Sequence, residues 1–240
     1  APALAKAYRP PAQEGWHRRL FEWKPVRLLV FSLVVVAIGG IVEFVPIFLV
    51  ESNIPTITSV KPYTSLEIQG RDIYIREGCN NCHSQMIRPF RSETERYGEY
   101  SKAGEYVYDH PFLWGSKRTG PDLLRVGGKY GDSWHYLHML EPESMSPGSI
   151  MPPYPWLFED AWDKNSTADK ISAMRTLGVP YEEGYEEQAL ADAEKQAEGI
   201  AKNLENDDIT VSPDAEIIAL IAYLQRLGTD IKVVAENNDK

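Results

Sequence analysis

Cysteine is scarce in this chain of 240 residues, which has only two. Two cysteines form at most one disulfide, so a small fold held together by several bridges is excluded. The sequence also has no phosphate-binding glycine loop, no His-Glu-x-x-His metal motif and no visible Ser-His-Asp arrangement, which favours a carrier over a hydrolase or a nucleotide enzyme. With 35 acidic against 25 basic residues, the chain is not expected to bind nucleic acid.

Long apolar runs are also rare, and the exception lies near the N-terminus. No charge occurs from Leu28 to Val42, and after Glu43 the apolar residues continue to Val50. A helix over 28–50 would be roughly 33 Å long, which matches a hydrocarbon core of about 30 Å. A cleaved signal peptide would have a shorter apolar core and a small-residue cleavage site. We therefore predict one retained transmembrane helix at 28–50, in contact with membrane lipid.

The two sides of this helix differ in charge. Residues 1–27 carry six Lys or Arg and two Glu, whereas residues 28–240 have a net charge of −14. Because positive flanks stay in the cytoplasm, we predict a cytoplasmic N-terminal segment and a periplasmic domain at a bacterial inner membrane. Trp16 and Trp23 are candidate interfacial anchors. The acidic domain gains solubility from its charge, or steers a basic redox partner.

The two cysteines stand in the run Cys79-Asn80-Asn81-Cys82-His83. This pattern is typical of covalent c-type haem attachment, with Cys79 and Cys82 forming thioethers and His83 as the proximal iron ligand. A thioredoxin-like redox pair would need a βαβ context, and a zinc site would need two more ligands at paired spacing. A third alternative is a haem-free structural subunit whose two cysteines form a disulfide.

The sixth iron ligand has several candidates. Met151 is preferred because Pro152, Pro153 and Pro155 stiffen the loop that would hold its thioether against iron. Met145 is the alternative, whereas Met86 is too close to His83 to reach the other face of the porphyrin. Ligation by a second histidine stays open for three residues: His110, His135 and His138.

Helical patterns predict an all-α fold. A first helix is expected at about Ser65 to Glu77, and a last helix from Ser212-Pro213-Asp214 to Gly228. The last helix has an apolar stripe at helical spacing, formed by Ile217, Leu220, Ile221, Leu224 and Leu227. The predicted organisation is a cytoplasmic segment (1–27), a transmembrane helix (28–50), a linker (51–64), one haem domain (65–230) and a tail (231–240).

An acidic insert is expected within that domain, at about 160–210. Its residues 181–208 contain ten acids and two lysines, and their weak apolar periodicity predicts an exposed helix near the domain rim. Its role is open, as is that of Glu43, an ionisable residue in the outer third of the predicted span.

Gly70 and Tyr74 before the haem motif, with Tyr223 near the end of the last helix, resemble the crossing helices of class I cytochromes c. The run Gly120-Pro121-Asp122-Leu123 is similar to the G-P-x-L turn of that family. The resemblance implies that the Pro121 carbonyl accepts a hydrogen bond from His83.

Four longer runs resemble the single-haem subunit of cbb3-type cytochrome oxidases: GGIVEFVPIF, YIREGCNNCHSQMIRPFRSETERYGEYSKAGE, KRTGPDLLRVGGKYGDSWH and PGSIMPPYPWL. The resemblance implies one covalent haem c, with His83 and Met151 as axial ligands. It also implies a haem-copper catalytic subunit as partner, and a di-haem subunit or a soluble cytochrome c as donor. Electrons would pass through this haem to haem b for proton-coupled oxygen reduction. The cytochrome subunit of a nitric oxide reductase has the same layout and is the alternative.

Three arginines follow the haem motif closely, at positions 88, 91 and 96. Arg88 above all is a candidate for neutralising the haem propionates or for binding a partner subunit. A solvated basic surface is the simpler interpretation. The first 27 residues are longer and richer in Pro and Ala than the resemblance predicts.

Overall fold

The computed structural model describes residues 15–17, 24–50 and 55–231. Most of the predicted cytoplasmic segment, including Trp23, lies outside these ranges, as do part of the linker and most of the tail. The boundaries between the predicted segments therefore stay predictions. The chain forms two compact units, Ala1–Ile54 and Pro55–Lys240. The described α-helices, numbered α1 to α9 in chain order, are Pro25–Leu49, Ser65–Arg76, Arg91–Tyr97, Asp132–Leu140, Pro142–Met145, Trp156–Glu159, Thr167–Thr176, Tyr185–Glu205 and Glu216–Arg226.

The predicted all-α fold is confirmed within these ranges. Besides the α-helices, the described residues form 3-10 helices at Cys79–Asn81 and Ala103–Tyr106. Over the same residues, β structure is limited to an isolated antiparallel bridge between Ala161 and Ala215.

Helix α1 is the N-terminal apolar helix. It begins at Pro25, three residues before the predicted start, because proline suits the first turn of a helix, where its missing N–H is not needed. Residues Pro25–Ile47 are long and apolar enough to cross a membrane, the one such stretch in the described part of the chain. None of the most apolar part of this stretch is buried within the protein.

Helices α2 and α9 cross at the centre of the second unit. The start of α2 is fixed by a capping box, in which the Glu67 amide donates to Thr64 Oγ1 and the Thr64 amide donates to Glu67 Oε2. The rings of Tyr74 and Tyr223 meet at the crossing, with centroids 5.3 Å apart. The predicted crossing pair is therefore present.

The predicted start of α9 was wrong, although its buried stripe is confirmed. Pro213 and Asp214 form a turn, and the helix begins only at Glu216. The reason is a pairing with a distant segment: the Trp162 amide donates to the Asp214 carbonyl at 3.0 Å, and the Glu216 amide donates to the Asp160 carbonyl at 2.9 Å. All five predicted stripe residues are buried.

Helix α8 corresponds to the acidic stretch, and the prediction of an exposed helix was incomplete. Its acidic residues cover the outer face, but Ala189, Ala193 and Ala197 form a fully buried stripe at a spacing of four residues. This face packs against α2, α7 and α9. Because alanine is only weakly apolar, its spacing marks a buried face less clearly than that of larger apolar residues.

Candidate functional site

The haem-attachment motif follows α2 directly. Gly78 takes a left-handed conformation, with φ of +70°, which ends the helix and turns the chain into the short 3-10 helix at Cys79–Asn81. The His83 amide donates to the Cys79 carbonyl at 2.9 Å, which closes the motif into one compact turn. As a result, Cys79, Cys82 and His83 all line the same cavity.

This cavity has a volume of about 650 Å³. Cofactor pockets usually measure about 300 to 1,000 Å³ and have apolar walls with a few polar groups. Its walls come from helices α2, α3, α4 and α9, from the haem motif itself, and from the loops before α4 and after α5. The size and the lining fit a porphyrin attached at Cys79 and Cys82.

His83 is held by the Gly120-Pro121 turn. Its Nδ1 lies 2.8 Å from the Pro121 carbonyl oxygen, and the Gly120 amide donates to the Cys82 carbonyl at 3.0 Å. Because a carbonyl only accepts, Nδ1 carries the proton and Nε2 keeps the lone pair that a metal needs. A β-carbon at Gly120 would lie 2.2 Å from His83 Cε1, so a side chain at this position would push the imidazole out of its place.

The two cysteines form no disulfide with each other. Cys79 is partly buried, and burial together with the nearby Glu77 raises the pKa of its thiol to about 12. The raised pKa disfavours, at Cys79, the thiolate that thioredoxin-like exchange would need from this residue. Among the described residues, no group of three or more His, Cys, Asp or Glu side chains is placed to bind a metal ion, as a zinc site would require.

The five methionines all lie in the described residues, and two of them line the cavity. Met151 does so together with Pro152 in the loop after α5, and Met139 does so from α4, where it is buried. Met145 ends α5, and it is not among the lining residues. The sequence analysis did not single out Met139 as a residue of the site.

Two of the three candidate histidines line the cavity as well, His135 and His138. Burial lowers the pKa of His135 to about 4 and also lowers the pKa of His138, so both rings are neutral at pH 7. Trp134 stacks on the His138 ring, with centroids 4.5 Å apart. The third candidate, His110, lies outside the cavity lining, where its carbonyl accepts from Arg71 at 2.9 Å.

Arg88 is not placed at the cavity. Its guanidinium pairs with Glu93 and lies 5.8 Å from the Phe90 ring centroid. Arg91 pairs with Glu95 on the surface of α3.

Three other basic residues line the cavity: Arg96, Arg125 and Lys129. Arg125 also pairs with Glu105 at 2.6 Å in a buried ion pair. Sequence reasoning missed Arg125 and Lys129, although both follow the Gly120-Pro121 turn closely and this turn already pointed to the site.

Comparison with known families identifies one match. The family described as "Cytochrome C oxidase, mono-heme subunit/FixO" matches residues 17–231 of the chain. This stretch includes the apolar helix and the entire lining of the cavity. Comparison with curated proteins gave no significant match.

Proposed function

The chain belongs to the FixO family, the membrane-anchored mono-haem subunits of cbb3-type cytochrome c oxidase, and we propose that its periplasmic domain relays single electrons within that oxidase. One observation carries the proposal. Both cysteines, a histidine of fixed tautomer and two methionines line one cavity of cofactor size. When bound, haem c supplies reversible one-electron chemistry at its iron.

In this proposal Cys79 and Cys82 hold the haem covalently, and His83 and Met151 provide the axial ligands. The His83 tautomer supports the assignment, because only Nε2 is free to bind. Met151 is preferred to Met139, since Met139 lies on a helix at 8% exposure and Met151 lies on a proline-rich loop. Ligation by a thioether raises the reduction potential above that of a second imidazole, which suits a carrier.

Basic side chains balance the negative charge of the haem propionates in this site. Arg96 and Lys129 line the cavity and carry the required charge, whereas Arg125 lines it with its guanidinium already paired with Glu105. Arg88 takes no part in this role, because its guanidinium is paired with Glu93 outside the cavity.

The wider assignment follows from the family and from the charge of the chain. We propose that α1 crosses the bacterial inner membrane once, with residues 1–27 in the cytoplasm and the haem domain in the periplasm. Electrons arrive from a di-haem subunit or a soluble cytochrome c. They leave for haem b of the haem-copper subunit, where oxygen is reduced.

The first test is the covalent haem. The full chain, expressed with a c-type maturation system, should give the pyridine haemochrome spectrum of a thioether-bound haem and a mass increased by one haem. The double variant Cys79→Ala/Cys82→Ala should lose both signals. A mature wild-type chain without added tetrapyrrole would end the electron-relay assignment and leave the haem-free structural subunit.

A further inference from the structure

The segment that carries His83 is tied to the Gly120-Pro121 turn by more than the imidazole. The Gly120 amide donates to the Cys82 carbonyl at 3.0 Å, and the Leu123 amide donates to the Ser84 carbonyl at 2.9 Å. The bond from His83 Nδ1 to Pro121 lies between these two backbone bonds. The length of the imidazole bond therefore depends on how firmly the two segments are held together.

Asp122 joins the two segments through its side chain. Its carboxylate is fully buried, with 0% of the side chain exposed. Oδ2 accepts from Ser84 Oγ at 2.6 Å and from the Met86 amide at 2.8 Å, and Oδ1 accepts from the Leu124 amide at 2.9 Å. A buried carboxylate is tolerated only when donors replace its water, and here the donors come from both segments.

Arg118 supplies the opposite charge on the same residues. Its Nη2 lies 3.7 Å from Asp122 Oδ2 and donates to the Met86 carbonyl at 2.8 Å, while its Nε donates to Ser84 Oγ at 2.8 Å. The Ser84 hydroxyl accepts from Arg118 and donates to Asp122, so its direction is fixed. Glu93 holds Arg118 from the other side at 2.7 Å.

We propose that Asp122 and Arg118 are positioning residues for His83, an inference that rests on the proposed haem site. They clamp Ser84–Met86 to the Pro121 turn, which keeps the hydrogen bond from His83 Nδ1 to Pro121 short. A firm bond at Nδ1 makes the imidazole a stronger electron donor through Nε2, which favours the ferric state. Asp122 is also a residue of the cavity lining, and the negative charge of its buried carboxylate beside the cavity favours the more positive ferric state. Both effects lower the reduction potential.

The test is Asp122→Asn in the haem-loaded full chain. The amide replaces one accepting oxygen by a donating nitrogen, so it cannot accept from all three partners of the carboxylate. We expect the His83 Nδ1 proton of the reduced protein to exchange with solvent roughly tenfold to a hundredfold faster, the range by which loss of an outer hydrogen-bond partner weakens a metal site. The reduction equilibrium constant should rise about tenfold, which is a potential about 59 mV more positive for one electron.

The matched control is Asp109→Asn. Asp109 is also a buried carboxylate beside an arginine, with Arg71 at 3.8 Å, but it lies outside the haem cavity lining. This variant should leave the exchange rate of the His83 proton and the potential close to those of the wild type. Equal shifts in both variants would overturn the proposal, because they would show a general effect of lost buried charge.

A second variant separates positioning from folding. Ser84→Ala removes only the hydroxyl between Arg118 and Asp122, and it should move the same two quantities in the same direction by a smaller factor. If Asp122→Asn does not mature, this variant decides the question. A haem-loaded Ser84→Ala or Asp122→Asn protein with wild-type exchange and potential would overturn the clamp while leaving the haem site intact. A wild-type chain without covalent haem would instead overturn the proposed function.

Discussion

Gly70 on α2 lies so close to Ala219 on α9 that a β-carbon at position 70 would stand 1.9 Å from the Ala219 carbonyl oxygen. The backbones of the two helices therefore touch at this point, with no side chain between them. The contact sets the crossing at which Tyr74 meets Tyr223. Because α2 leads directly into the haem motif, the same contact also fixes the position of Cys79 relative to α9.

The first prediction concerns this crossing. Gly70→Ala should lower the free energy of unfolding by about 1 to 3 kcal/mol, because the added methyl meets backbone that cannot rotate away. Denaturant unfolding of the haem-loaded chain measures the loss. The control is Gly199→Ala on the exposed face of α8, where a β-carbon meets nothing within 4 Å. It should raise stability by about 0.5 to 1 kcal/mol, as alanine does inside helices. Unchanged stability in Gly70→Ala would refute the close contact.

The second prediction concerns the sixth ligand. Met151→Leu should abolish the weak long-wavelength absorption band of the ferric protein that reports sulfur bound to iron. It should also lower the reduction potential, because the thioether stabilises the ferrous state. Optical spectra and a redox titration measure both.

Two matched variants control for general disturbance near the cavity, Met139→Leu and Met145→Leu. Both exchange side chains of similar volume and should keep the band. If the band survives in Met151→Leu and is lost in one of the other two, that methionine is the ligand. Absence of the band from the wild-type protein itself would point to His135 or His138 as the ligand.

The third prediction concerns acid stability. Arg118 and Arg88 donate hydrogen bonds to Glu93 and lower the pKa of its carboxyl from its ordinary value of 4.5 to about 2. A carboxyl with a depressed pKa adds stability that is fully present above about pH 4.5 and is lost as the pH falls towards 2. Glu93→Gln should therefore be less stable than the wild type at pH 7, and the difference should shrink between pH 4.5 and 2.

Unfolding free energies measured across this pH range check that prediction, and Glu95→Gln serves as the control. Glu95 lies on the same helix with 62% of its side chain exposed, and ion pairs this exposed add little stability. Its curve should follow that of the wild type. A stability difference for Glu93→Gln that stays constant down to pH 2 would contradict the role of the carboxylate charge.

The fourth prediction concerns the alanine stripe of α8. Ala193→Leu should cost about 1 to 3 kcal/mol of stability, because the larger side chain does not fit between α8 and the helices it covers. Ala191→Leu places the same side chain on the exposed face of the same helix and should stay within about 0.5 kcal/mol of the wild type. Thermal unfolding compares the two. Equal effects would mean that α8 does not pack through this face.

The features that could be predicted from the sequence depend on short-range spacing. The haem motif is a run of five residues, and the buried stripe of α9 follows the 3.6-residue period of its own helix. Gly70 and Gly120 were found because the resemblance to class I cytochromes c drew attention to them. In both cases the neighbour that a side chain would meet is distant in the sequence, so local spacing alone does not reveal it.

Two other features depend on which partner a group bonds to. Ser212-Pro213-Asp214 has the composition of a helix start, but the Asp214 carbonyl bonds to the amide of Trp162, and α9 begins later. Arg88 lies near the haem motif in sequence, but its guanidinium pairs with Glu93, five residues along the chain, and does not line the cavity. Neither partner could be identified from local pattern alone.

Electron relay through this haem is tested most directly by the kinetics of the assembled oxidase. The complex containing this chain is reduced without oxygen and then mixed with oxygen in a stopped-flow instrument, and the absorbance of the c-type haem on this subunit is followed. We predict that this haem is reoxidised in the first turnover and reaches steady partial reduction when donor is supplied. If it stays fully reduced while the complex consumes oxygen over many turnovers, electrons do not pass through it and the relay function is contradicted.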